Sequence, residues 1–370
     1  MTGPFAYPEV IEAGELLLRH PRPQDAPEVC RALEDPETYR FLPNVPTPVP
    51  LEFGETWCGQ GHDDVRAAGG VRYVVIDAQT NQLLGAVSLQ RVHADRAQAE
   101  TGYWVAPWAR GRGVATKSVR ALSDAAFSVG MARIELCAEW ENVASQKVAL
   151  NSGYRREGVR RAAAPGRDGS GRYDLIAFTR LASDDGEPIP PGLPELPGGQ
   201  LTDGVVALRL LRPGDVQDLF ELLQLPEVAA TNFGDASREH LAVGCARAAA
   251  VWLGGDRAEM IILDAATGEF AGDIGFYYML RQLQEGMIGY SLRPEFRGRG
   301  MATRAVELLA RWAFEQVGVA RLIAGTDPAN VASQRVLQRA GFEREALMRG
   351  RLPGPDGKRL DDIQWVRLPS

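Results

Sequence analysis

With 370 residues, 45% hydrophobic and 24% charged, the chain has an ordinary globular composition and is too long for a single core. A net charge of −7 excludes the positive surplus of a general nucleic-acid binder, and no apolar run reaches the roughly 20 residues that span a bilayer. Cys30, Cys58, Cys137 and Cys245 show no metal-ligand spacing, so no metal is expected. The opening MTGPFAYPEV lacks the basic and apolar stretches of a secretory leader, and a reducing cytoplasm is expected. Lysine is confined to Lys117, Lys147 and Lys358 while arginine is abundant, a bias that suits a GC-rich bacterial genome.

In chain order, Tyr73–Ile76 and Leu83–Leu89 flank a polar Thr-Asn-Gln turn and read as a hairpin. Glu100–Val105 is a third strand, closed by Pro107. Ala115, Val119, Leu122, Ala126 and Val129 recur at spacings of four and three, which predicts an amphipathic helix ended by Gly130. Strand Ile134–Ala138, helix Ala144–Leu150 and strand Leu175–Leu181 follow. Residues 182–200 hold five prolines, four glycines, four acids and no base, and predict a semi-extended linker. Beyond it come helix Ala302–Phe314, strand Leu322–Ala324, helix Ala332–Leu337 and strand Ile363–Leu368. The expectation is a mixed-sheet α/β (α+β) architecture.

The second set of elements repeats the first. Pro107-Trp-Ala-Arg-Gly-Arg-Gly-Val-Ala-Thr116 returns as Pro294-Glu-Phe-Arg-Gly-Arg-Gly-Met-Ala-Thr303, and Asn142-Val-Ala-Ser-Gln146 returns as Asn330-Val-Ala-Ser-Gln334. Residues 74–85 match 261–272, and Arg22-Pro-Gln-Asp25 matches Arg212-Pro-Gly-Asp215. Matches in one order at a nearly constant offset mean a duplicated domain. The expected limits are 1–181, a linker at 182–200, and 201–370.

Arg110-Gly111-Arg112-Gly113-Val114-Ala115 follows a strand and opens a helix, as does Arg297-Gly298-Arg299-Gly300-Met301-Ala302. A helix N-terminus offers unpaired N–H groups and partial positive charge, and glycine lets an anion come close. A bare glycine turn with solvated arginines is the simpler reading of one copy; recurrence at the same place in both favours an anion site. The P-loop pattern is missing, and the turn follows antiparallel-looking strands rather than the first strand of a dinucleotide fold.

This turn resembles the [QR]-x-x-G-x-[GA] coenzyme A signature of GNAT acetyltransferases, through Arg110, Gly113 and Ala115 and through Arg297, Gly300 and Ala302. Gly102-Tyr103-Trp104, Gly289-Tyr290, the Asn-x-x-Ser helices ending in Gly-Tyr or Gly-Phe, and Asp174 and Asp362 in the last strands resemble the RimJ/RimL-like branch. The resemblance implies two GNAT domains in tandem that bind acetyl-CoA. The turn N–H groups would take the pyrophosphate. Backbone of Tyr103, Trp104 and Val105, and of Tyr290, Ser291 and Leu292, would hold the pantetheine arm. Asn142, Ser145, Asn330 and Ser333 would line the thiol channel, with helix N-capping a compatible role for the two asparagines.

Proton transfer divides the copies. Glu100 stands two residues before the Gly-Tyr pair, where related enzymes carry a glutamate; its counterpart is Met287. Glu285 lies one pleat earlier, and Asp327, aligned with Glu139, is the candidate on the neighbouring strand. The tyrosine that related enzymes place before Gly-Phe is Ala149 or Leu337 here, which leaves solvent or Ser145 to protonate the thiolate. The expected activity is N-acetyl transfer by direct attack of a primary amine, on a peptide N-terminus or a small molecule. The other readings are a non-catalytic acyl-CoA sensor, or one catalytic and one structural copy. No nucleic-acid or membrane partner is expected, and the two domains are expected to pack together.

Overall fold

A computed structural model describes residues 5–166, 171–230, 234–354 and 357–369. The chain divides into two compact units between Pro190 and Pro191.

In the first unit the strands are β1 (Val10–Ala13), β2 (Leu16–Arg19), β3 (Val71–Asp77), β4 (Leu83–His93), β5 (Gln98–Val105), β6 (Arg133–Glu139), β7 (Arg155–Pro165) and β8 (Arg172–Leu181). Its helices are α1 (Ala26–Leu33), α2 (Pro36–Tyr39), α3 (Leu51–Cys58), α4 (Gln60–Ala67), α5 (Val114–Ser128) and α6 (Val143–Asn151). The second unit repeats the plan with β9 (Leu201–Thr202), β10 (Val206–Leu210), β11 (Arg257–Asp264), β12 (Phe270–Leu280), β13 (Glu285–Leu292), β14 (Arg321–Thr326), β15 (Glu343–Pro353) and β16 (Arg359–Arg367). It carries α7 (Val216–Leu223), α8 (Pro226–Ala229), α9 (Arg238–Gly254), α10 (Met301–Trp312) and α11 (Val331–Arg339).

Each unit is a mixed eight-stranded sheet, ordered β1-β2-β3-β4-β5-β6-β8-β7 in the first and β15-β16-β14-β13-β12-β11-β10-β9 in the second. Among the described residues only β5/β6 and β13/β14 pair in parallel, because α5 or α10 intervenes as a crossover; the other neighbours are antiparallel. In the second unit, α10 and α11 close one core around Phe276, Trp312 and Trp365, while α7 and α9 close a smaller one over Ile261 and Phe270.

Every expected strand and helix is present. The stretches before each hairpin, where periodicity had suggested nothing, hold the short helices α1–α4 in the first unit and α7, α8 and the longer α9 in the second. The Arg-Pro-x-Asp repeat has a structural reason. Asp25 accepts the Arg22 N–H at 2.7 Å and a two-pronged bond from Arg19 at 2.8 Å, and Asp215 does the same with Arg212 and Arg209. A buried carboxylate satisfied this fully fixes the path from strand to helix.

The segment 182–200 is shared between the units. The Ile189 N–H donates to the Leu150 carbonyl at 2.9 Å. Gly192 N–H donates to Leu253 O, Leu193 is fully buried, and its carbonyl accepts from Trp252 Nε1 at 3.0 Å. Leu193 thus belongs to the second core.

Candidate functional site

The parallel pair in each sheet is short. β5 meets β6 only at Gln98–Glu100 opposite Arg133–Glu135, and β13 meets β14 only at Glu285–Met287 opposite Arg321–Ile323. Past those residues the strands part into a wedge. Alternation along the strand turns the backbone groups of Tyr103 and Val105, and of Tyr290 and Leu292, toward that wedge, while those of Trp104 and Ser291 bond the neighbouring β4 and β12.

The arginine-glycine turns sit at the wide end. Gly111 and Gly113 both take φ 73°, and Gly298 and Gly300 take 73° and 76°, the left-handed region that glycine occupies at little cost. A Cβ would meet nothing within 4 Å at Gly111, Gly298 or Gly300, and only Lys117 Cε at 3.8 Å at Gly113. Neither α5, which begins at Val114 and Ala115, nor α10, which begins at Met301 and Ala302, has a side-chain cap. Among the described residues nothing claims the first N–H groups of either helix, and both are sterically open to an anion.

The first arginine of each turn is engaged elsewhere. Arg110 is held by Asp35, by Glu37 at 2.6 Å and by Thr38 Oγ1 at 2.6 Å; Arg297 is held by Glu227 at 2.7 Å and by the Leu292 carbonyl. These pairs tie the turn to α2 or α8. Arg112 reaches Asp77 at 3.4 Å, and Arg299 lies 5.5 Å over the Phe296 ring. The backbone supplies most of the free donors.

Across the wedge, Asn142 caps α6, its Oδ1 accepting the Ser145 N–H at 3.0 Å, and Asn330 caps α11 through Ser333 in the same way. The Ser145 hydroxyl shares a 2.8 Å hydrogen bond with Tyr103 Oη, and Ser333 shares one of 2.9 Å with Tyr290 Oη. Burial raises both phenols, Tyr290 to about 12, so both stay protonated at neutral pH.

In the second unit a cavity of about 750 Å³ gathers the expected residues. Tyr290, Ser291, Leu292, Arg297, Gly298, Gly300, Met301, Ala302, Asp327, Asn330 and Ser333 line it. Arg299 instead lines a smaller hollow with Arg293 and Glu269.

The candidate bases occupy different surroundings. Glu100 is half-buried beside β6 and accepts a two-pronged bond from Arg91 at 2.9 and 3.1 Å. Its neighbour Cys137 has its thiol pushed up to about 11, chiefly by burial. Glu285 is tied to Arg321 at 2.8 Å, and Asp327 folds back to accept the Ala329 N–H at 2.6 Å. His93 is exposed at the end of β4.

The register also corrects one pairing. Asp174 accepts the Ala162 N–H, and its structural twin, accepting the Gly350 N–H, is Asp361 rather than Asp362. One residue fewer between α11 and β16 shifts the alignment. Sequence reasoning missed Arg91 and named Asp362 only as a last-strand residue, because the partners of both depend on strand register rather than on any local motif.

A family model described as an acetyltransferase (GNAT) domain matches the chain twice, over residues 15–155 and 206–343. Two Bacillus subtilis (strain 168) proteins are similar. "Probable N-acetyltransferase YjcK" is 36% identical over 89 residues, 24% of this chain and 49% of that protein. "Uncharacterized N-acetyltransferase YoaA" is 31% identical over 83 residues, 22% of this chain and 47% of that protein. The chain thus spans about half the length of each. Among solved structures, Mycobacterium smegmatis RimJ in complex with CoA-disulfide aligns with a TM-score of 0.42 at 23% identity, covering 49% of this chain and 90% of that chain.

Proposed function

The chain belongs to the GNAT acetyltransferase domain family in both halves, and on that premise we propose that it is an acetyl-CoA-dependent N-acetyltransferase acting on a primary amine of a peptide or small molecule. The observation that carries this reading is the coincidence, in each unit, of an open helix N-terminus, a wedge with unpaired strand edges, and a Tyr–Ser hydroxyl pair across that wedge.

Each part has a chemical task. The turn N–H groups suit a pyrophosphate, and the unpaired backbone of β5 or β13 suits the amide-rich pantetheine arm. Held there, the thioester carbonyl would lie beside the hydroxyl pair, where Ser145 or Ser333 can donate a proton to the departing sulfur. Glu100, held by Arg91, would receive a proton from the acceptor ammonium in the first copy. Four unpaired cysteines suit a reducing compartment such as the cytoplasm.

Calorimetric titration of the full chain with coenzyme A, paired with a thiol-release assay on acetyl-CoA and a panel of amines, tests this. Two binding sites and amine-dependent thiol release are expected. No binding at all would overturn the proposal, and binding without release from any amine would favour the acyl-CoA sensor.

A further inference from the structure

The two copies differ in where a carboxylate faces the wedge. In the first it stands on β5 as Glu100, opposite Gln90 of β4; in the second, Met287 fills that position opposite Tyr277. The last strand shows the reverse exchange. Ala138 pairs with Ile176 in the first sheet, and its counterpart Thr326 pairs with Ile363 in the second. The preceding residues, Leu175 and Asp362, therefore occupy one structural position. The acid lost from one side of the wedge reappears on the other.

The placement of Asp362 is specific. Ile363 and Trp365 point into the core beneath α10, as do Leu322 and Ala324 of β14. Alternation along the strands sends Asp362, Gly325 and Asp327 to the opposite face, the one that carries Met287 on β13. Asp362 is only 3% exposed, and its carboxylate lies across Gly325, where a Cβ would fall 2.7 Å from both oxygens. Gly325 is itself exposed, two residues beyond Ile323, the last β14 residue paired with β13. Cys137 holds that position in the first copy, so of the two copies the second has a glycine that leaves room for a carboxylate over the strand bordering the wedge.

Arg351 stands 3.4 Å from Asp362, as Arg91 stands beside Glu100. Burial raises the Asp362 carboxyl above its ordinary value against the pull of Arg351, the direction that suits a group required to take up a proton.

We propose that Asp362 is the proton acceptor of the second copy, taking the place that Glu100 holds in the first and that Asp327, occupied with its own turn, does not fill. The inference rests on the reading above that the second copy binds acetyl-CoA. The acceptor ammonium gives one proton to the Asp362 carboxylate, and the freed nitrogen lone pair forms the C–N bond at the thioester carbon. The C–S bond breaks with its electron pair on sulfur. The second proton lost from nitrogen reaches sulfur through the Ser333 hydroxyl, and Asp362 returns its proton to water.

The test uses the full chain with Gly113→Asp to silence the first copy, acetyl-CoA, and two acceptors, an N-terminal seryl peptide and 1,4-diaminobutane. Asp362→Asn should lower kcat about 10²-fold or more and leave coenzyme A binding within about twofold. Asp362→Leu, which installs the first copy's residue, should do the same, and adding Met287→Glu should restore at least about a tenth of the lost rate. Retention of half the parental kcat in Asp362→Asn overturns the assignment, as does failure of Met287→Glu to rescue. A parent that binds coenzyme A but turns over neither acceptor overturns catalysis in this copy. Loss of coenzyme A binding by the parent strikes at the broader reading instead.

Discussion

Tyr103 and Ser145 share a 2.8 Å hydrogen bond across the open end of the β5/β6 wedge, although 42 residues separate them in the chain. Two hydroxyls in one bond form one proton path, so their removal should not be additive. Tyr103→Phe and Ser145→Ala are each expected to lower first-copy kcat about 10- to 100-fold, with the double variant little worse than either. The acetyl-CoA KM should stay within about twofold. A double-mutant cycle on kcat checks this, and additive losses would show two independent roles.

Glu100 and Arg91 form the other pair at that wedge. Glu100→Gln should reduce first-copy turnover by about 10²–10⁴-fold. Arg91→Leu leaves the carboxylate in place but unheld, so its loss should be smaller and expressed partly in acceptor KM. Steady-state kinetics in a Gly300→Asp background separate the two, and a silent Glu100→Gln would remove the residue from the mechanism.

Coenzyme A stoichiometry follows from the turns. Asp tolerates positive φ better than most residues, and Gly113 and Gly300 have open space where a side chain would stand, so both aspartate variants should fold. Each new carboxylate would repel a pyrophosphate from the α5 or α10 N-terminus. Calorimetry should fall from two sites to one in either variant and to none in the pair.

Asp273, on β12, gives a pH signature. Burial pushes its carboxyl up to about 7, and its Oδ1 has no hydrogen-bond partner among the described residues, though Ser291 bonds the group. In the unfolded chain such a carboxyl loses its proton near pH 4. Between those values the folded state holds the extra proton, so the stabilising contribution is full below about pH 4 and is lost as pH rises through 7. The difference of about three pH units corresponds to at most about 4 kcal/mol. Asp273→Asn should flatten that slope and unfold at higher urea than the parent at pH 8; an unchanged slope would show that the carboxyl finds solvent or a partner.

Leu193 predicts where the chain can be divided. Residues 191–370 keep this side chain in the second core, whereas 201–370 leave a cavity beside Trp252. The longer piece should fold alone and exceed the shorter by about 2–5 kcal/mol, the cost of emptying a leucine site. Urea unfolding of the two fragments decides, and equal stability would mean that the 191–200 segment is dispensable.

The sequence by itself determined the duplication, the mixed α/β sheet, the order of the elements and the two arginine-glycine turns. Each is written in local pattern: hydrophobic period, glycine at a strand–helix junction, and repetition at fixed spacing. The same local logic found the Asn caps, since an N-cap acts over three residues.

Tertiary structure decided what depends on distance. That Arg110 and Arg297 spend their charge on Asp35, Glu37 and Glu227 follows from bringing together residues about 70 positions apart. Whether Asp361 or Asp362 corresponds to Asp174 is a question of strand register, and one residue's slip sends a carboxylate to the other face of the sheet. The opposed placement of Glu100 and Asp362 arises where two strands stop pairing. No periodicity along the chain records that point, because it is set by how the crossover helix and the twist of the sheet separate the strands.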